Sequence, residues 1–183
     1  MSETTVATRY AKSIIDLAEE QKVLEEIRKD MELFSQTLRA NHQLQAVLSN
    51  PIIAHNKKIK ILEAIFSGKV SKLTDSFFRI MINKSRSEIL YPTAKEFINQ
   101  YNIIKNIVRA YVTSATPLSA QNEKQIISEL EAVTSGTIEL HKKVDTKLIG
   151  GFVLTISDRQ IDTSLSNALN RLKHDFAQRI ITT

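Results

Sequence analysis

Residues 144–179 read VDTKLIGGFVLTISDRQIDTSLSNALNRLKHDFAQR, and three structural states succeed one another within them. Gly150-Gly151 leads an apolar, β-branched run, Phe152-Val153-Leu154-Thr155-Ile156, which has the composition of a strand. Ser157-Asp158-Arg159-Gln160 is a polar turn that stops the run. Asp162 then stands where a helix N-cap belongs, ahead of Leu165, Ala168, Leu169, Leu172, Phe176 and Ile180 at helical spacing. Such a strand–turn–helix module buries its apolar face only against other elements, so the chain before it must supply them.

Working back from Val144, Ile138 and Leu140 alternate with Glu139, His141 and Lys143, which predicts a second strand. Gly136 ends a helix before it, carrying Ile126, Ile127, Leu130 and Val133 and capped by Ser119. Val108, Ala110 and Val112 alternate with Arg109, Tyr111 and Thr113 in a further strand, broken at Thr116-Pro117. Residues 107–183 therefore read as a small α/β domain in the order β-α-β-β-α. No Gly/Ser-rich linker precedes it, so the last upstream helix is expected to run straight into its first strand.

Residues 1–106 are helical in pattern throughout. The first helix shows Val6, Tyr10, Ile14, Leu17 and Ala18 on one stripe, with Ala7 and Ala11 as small neighbours. The second repeats the period with Leu24, Ile27, Met31, Phe34 and Leu38. Leu44, Val47 and Leu48 make a short third helix, closed by Asn50-Pro51 because a residue before proline leaves helical φ/ψ. Ile59, Leu62, Ile65 and Phe66 mark the fourth, and Val70, Leu73, Phe77, Ile80 and Met81 the fifth. The sixth passes Pro92, placed in its first turn, toward Phe97, Ile98, Tyr101 and Ile104. The fold class is mainly α: an N-terminal six-helix bundle, then the α/β domain.

At 183 residues, 42% hydrophobic and 25% charged, the chain is an ordinary globular composition of one or two domains. No apolar run approaches the ~20 residues that span a bilayer, and MSETTVATRYAK lacks a signal-peptide core, so a cytoplasmic location without membrane insertion is expected. With no cysteine there are no disulfides and no thiolate chemistry. The net charge of +5 suggests nucleic acid, but lysines and arginines interleave with glutamates, as in Glu25-Glu26-Ile27-Arg28-Lys29-Asp30. The one basic cluster, His55-Asn56-Lys57-Lys58-Ile59-Lys60, reads as a solvated helix start, and no nucleic-acid partner is expected.

Catalytic patterns are missing. His42, His55, His141 and His174 lack metal-ligand spacing, and no HExxH, GxSxG, Walker or GxGxxG sequence occurs. Gly150-Gly151 precedes a strand instead of a helix, which is the wrong geometry for a phosphate loop. Asp158 and Asp162, four apart, are better explained as turn and cap residues than as an acid/base pair. Neither catalytic residue, cofactor nor metal is expected. Two helices are apolar beyond one stripe: the first, with Tyr10, Ala11, Ile14 and Ile15, and the fifth, with Phe77, Phe78, Met81 and Ile82. Such a helix is either central or exposes a groove for a partner.

VATRYAKSIIDLAEE at the start and VDTKLIGGFVLTISDRQIDTSLSNALNRLK near the end resemble the two ends of the delta subunits of F-type ATP synthase, the family that includes the mitochondrial oligomycin sensitivity-conferring protein. The specific part is the C-terminal signature, here Asp145, Leu148, Gly150, Gly151, Asp158, Asp162 and Ser164. Thr146 stands where that family usually has proline, and Ser157 and Thr163 where it has glycine. The resemblance implies a non-catalytic stator on the cytoplasmic face of the cell membrane. Its helical domain would bind the N-terminal helix of an alpha subunit between the first and fifth helices, through Tyr10, Ala11, Ile14, Phe78 and Ile82. Its α/β domain would hold the C-terminus of a b-type peripheral stalk.

Overall fold

The computed structural model describes residues 3–134, 136–156, 159–169, 171 and 173. It is mainly helical with a small four-stranded sheet, and divides into two compact units, residues 1–104 and 105–183.

In the first unit, α1 (Glu3–Glu20), α2 (Leu24–Ala40), α3 (His42–Ser49), α4 (His55–Phe66) and α5 (Lys72–Asn83) precede a 3-10 turn (Ser87–Ile89) and α6 (Leu90–Ile104). Helix α6 packs against both α1 and α2. The α2 stripe is buried as its period demands, at Leu24, Ile27, Met31, Phe34 and Leu38. Phe34 lies 4.5 Å from Phe78 and 5.4 Å from Phe66 between ring centroids, an aromatic cluster joining α2, α4 and α5. Helix ends are closed by local chemistry. Asn41 caps α3 by accepting the Gln43 and Leu44 N–H groups. Helices α1 and α5 finish in left-handed residues that are not glycine, Lys22 (φ 58°) and Ser85 (φ 58°). The next N–H in each case reaches back to the last turn, Val23 to the Ala18 carbonyl and Arg86 to that of Met81, both at 2.9 Å.

Two stripes differ from the sequence reading. On α1 the alanines carry the contact: Ala7, Ala11 and Ala18 are buried with Ile14 and Ile15, while Leu17 is 40% exposed. Small residues let α6 approach closely, and larger Tyr10 and Leu17 are displaced to the side. On α5 the buried set is Thr74, Phe78, Met81 and Ile82, and Ile80 is 52% exposed. Leu73, Phe77 and Ile80 form its outer stripe.

The basic cluster does start a helix, α4, but its solvated reading fails at Lys58, which is 3% exposed. Its ammonium donates to the Leu48 carbonyl at the end of α3 and to the Ser87 hydroxyl, each at 2.8 Å. Ser87 in turn donates to the same Leu48 carbonyl at 2.7 Å. Lys58 shares the α4 stripe with Leu62 and Phe66 at spacings of four, so its stem follows the apolar face while its head satisfies an orphan helix-end carbonyl. Burial pushes this ammonium below the ordinary lysine value of 10.5, partly offset by Glu88. The unfolded chain then holds the proton more tightly than the folded one. On this account stability is lowest below the folded pKa and rises with pH until about 10.5, where both states are neutral. Urea unfolding of wild type and Lys58→Met across the alkaline range is expected to show wild type gaining relative to the variant as pH increases. A difference that stays flat with pH refutes the assignment.

Between α6 and the first strand stand only Lys105 and Asn106, and Asn106 turns the backbone through φ 51°. The second unit contains β1 (Ile107–Ser114), α7 (Ala120–Thr134), β2 (Thr137–Val144), β3 (Phe152–Ile156) and β4 (Arg159–Asp162), in sheet order β2-β1-β3-β4. Strands β1 and β2 are parallel, the arrangement a helical crossover such as α7 permits; β1–β3 and β3–β4 are antiparallel. Ala110, Val112, Ile138 and Leu154 face Ile126 and Leu130 of α7 in a continuous core. Ser119 caps α7 by accepting the Asn122 N–H at 3.2 Å. A helix follows β4, described over residues 165–169, 171 and 173. The order is thus β-α-β-β-β-α. The expected polar turn ends by Arg159, which with Gln160 joins a fourth strand that pairs Ile156↔Arg159 and Leu154↔Ile161. At the sheet edge β4 has exposed side chains and so carries no hydrophobic run.

Candidate functional site

The glycine-led turn of the second unit is assembled from backbone bonds. Asp145 closes β2 with its N–H on the Ser114 carbonyl of β1 at 2.9 Å, and its carboxylate accepts the Lys147 N–H at 3.0 Å. That Asx turn leads through half-buried Leu148 into the glycine pair. Gly151 has φ +78°, and a Cβ there would lie 2.4 Å from the Thr163 carbonyl oxygen. At Gly150 an added Cβ would meet the Leu165 side chain at 2.7 Å, and the Gly150 carbonyl accepts the Leu165 N–H at 3.0 Å. The pair therefore exists because residues 163–165 cross directly over it. Thr163 adds a bond of its own, its hydroxyl donating to the Phe152 carbonyl at 2.8 Å beside its N–H at 3.0 Å.

The capping residue differs from expectation. The buried Ser164 hydroxyl accepts the Asn167 N–H at 3.3 Å and its carbonyl the Ala168 N–H, so Ser164 is the N-cap of the closing helix. Asp162, at the end of β4, instead accepts the Ser164 N–H at 2.8 Å and orients the cap from behind. The Ser164 hydroxyl and N–H, helped by Arg171, hold the Asp162 carboxyl below the usual aspartate range. The sequence reading put the cap at Asp162; pairing of Asp162 with Val153 keeps that residue in β4 and moves the cap two residues on. Asp158 lies outside the described residues.

In the first unit, Ala11, Ile14, Phe78 and Ile82 are buried, and Tyr10 is half-exposed. The Arg86 guanidinium stands 5.6 Å over the Tyr10 ring, linking α1 to the end of α5. Both helices also pack on the 3-10 turn. Sequence reasoning missed the polar groups that set this geometry. Buried Asp30 of α2 accepts the Ser71 N–H at 2.8 Å and the Thr74 hydroxyl at 2.7 Å, anchoring the start of α5. Tyr101 of α6 donates to Glu25 of α2 at 2.7 Å under the Arg28 guanidinium. Partners 41 to 76 residues apart leave no local signal.

A cleft of about 520 Å³ at the α4–α5 corner carries Glu63, Asp75 and Arg79, but both carboxylates are bonded to Arg79, at 2.6 and 2.8 Å. Among the described residues no group of three His, Asp or Glu could hold a metal, and no helix is long and apolar enough to cross a membrane.

Comparison with known proteins gives a consistent picture. Residues 6–176 match the family model of the ATP synthase delta (OSCP) subunit. The ATP synthase subunit delta of Cytophaga hutchinsonii is 39% identical over 181 residues, covering 99% of each chain. The chloroplastic subunit delta of Ochrosphaera neapolitana is 32% identical over 175 residues, covering 95% of this chain and 98% of its own. A chain in the cryo-EM structure of the Toxoplasma gondii mitochondrial ATP synthase hexamer shares the fold, with TM-score 0.65 at 20% identity over 93% of this chain and 97% of that one. On the family model and the relatives matched over their full length, the chain belongs to the ATP synthase delta (OSCP) subunit family, the non-catalytic stator component of the F-type peripheral stalk.

Proposed function

We propose that the two units grip two different neighbours in the synthase: residues 3–104 the N-terminal helix of an alpha subunit, and the second unit the C-terminus of a b-type stalk, at the cytoplasmic face of the cell membrane. The observation that carries the first half is the outward apolar surface of α1 and α5. Tyr10 and Leu17 share one side of α1, and Leu73, Phe77 and Ile80 recur at i, i+4 and i+7 along α5, all partly or largely exposed. Ala11, Ile14, Phe78 and Ile82 support those two helices from beneath, with Tyr10 directly within a partner's reach. A docking helix presenting apolar anchors at matching spacing is the complement of such a surface. In the second unit Ile149, Ile161, Leu165 and Leu169 are each more than half exposed, and Leu165 and Leu169 share a helix face.

A stator must resist rotor torque without turning over, which requires slow dissociation. Buried apolar contacts supply that better than exposed ion pairs worth about 0–1 kcal/mol. Calorimetric titration of the full chain with the alpha subunit's N-terminal peptide is expected to give a saturable heat that Tyr10→Ala weakens roughly tenfold or more. Ile80→Asp, at an exposed position, should abolish it while leaving thermal unfolding unchanged. Wild-type affinity in both variants removes the proposal.

A further inference from the structure

Resting on that reading of the α1–α5 surface, we propose that Arg86 is its selectivity residue, recognising a carboxylate on the incoming helix. Its backbone is pinned on both sides: its N–H donates to the Met81 carbonyl at 2.9 Å, and its own carbonyl accepts the Ile89 N–H at 3.2 Å. Left-handed Ser85 directs the chain at this point, so the Cα sits at a determined place beyond the last turn of α5. From there the side chain crosses to α1 and lies over Tyr10.

What the guanidinium does there is unlike the other arginines with described contacts. Arg28 is bonded to Glu32, Arg79 to Asp75 and Glu63, and Arg109 to Glu139. Arg86 meets an aromatic face and, among the described residues, no carboxylate. A cation–π contact of this length uses no hydrogen-bond acceptor, so the guanidinium N–H groups keep their capacity to bind a carboxylate. Their fork matches a carboxylate in bidentate geometry, and Tyr10 restricts its rotation before the partner arrives. A docking helix with an acid placed beside its apolar anchors would satisfy both; one with a lysine there would be repelled.

The test titrates the full chain with the alpha subunit's N-terminal peptide, and with versions in which each Asp or Glu is replaced singly by Asn or Gln. Wild type, Arg86→Gln and Arg86→Lys are compared at low and high salt. One acidic position is expected to stand out: its neutralisation weakens wild type roughly tenfold at low salt, the scale of a charged hydrogen bond, and Arg86→Gln no further. Arg86→Lys should keep the charge and lose part of the affinity. If Arg86→Gln binds every peptide as tightly as wild type does, or weakens all of them by one common factor, the selectivity role is wrong and the surface reading stands. If wild type binds no peptide at all, the surface reading falls and this proposal with it.

Discussion

Replacing Gly151 with alanine is expected to unfold the second unit's sheet while sparing the helices of the first. Two costs add. A left-handed φ of +78° penalises any residue with a Cβ by about 1–2 kcal/mol. The new methyl would also lie 2.4 Å from the Thr163 carbonyl, a backbone atom held by the bonds of Thr163 and Leu165 to Phe152 and Gly150. Relieving that contact means lifting residues 163–165 off the turn and losing those bonds, for a total of about 3–4 kcal/mol. Gly68 is the internal control. Its φ is +72° but open space surrounds it, so Gly68→Ala should cost only about 1 kcal/mol. Native-state hydrogen exchange on the β1 and β3 amides reads the result. Unaltered protection in Gly151→Ala would show that the crossing segment yields easily, contrary to the packing described.

Phe34→Ala should be the most damaging core change in the first unit. The ring is fully buried and touches Phe66 and Phe78, so truncation leaves a cavity where α2, α4 and α5 meet, at a cost of about 3–5 kcal/mol. Phe34→Leu, which keeps most of the volume, should cost much less. Because α5 leans on this cluster, the alanine variant should also weaken the proposed docking of the alpha-subunit peptide, although Phe34 itself is buried. Urea unfolding followed by circular dichroism, with exchange read separately on the β1 amides, separates the units. A midpoint close to wild type for Phe34→Ala would mean that the three rings do not act as one support.

Much of this was legible from spacing. The α2 period, the alternation of β1 and β2, the cap at Ser119, and the strand led by Gly150-Gly151 are local patterns, and local geometry alone produces them. Strand β4 was not legible, because its four residues carry no apolar run and become a strand only through pairing with β3.

The sequence by itself determined which segments are helical and where β1, β2 and β3 lie. It could not determine which of two apolar stripes on α1 and α5 faces inward, since both satisfy the helical period; the close approach of α6 and the ring of Phe34 made that choice. Nor could it place Lys58 in the core or Arg86 on Tyr10, because each depends on groups brought near by other helices. Periodicity is a property of one element, whereas burial and partnership belong to the contacts between elements, and only the tertiary structure supplies those.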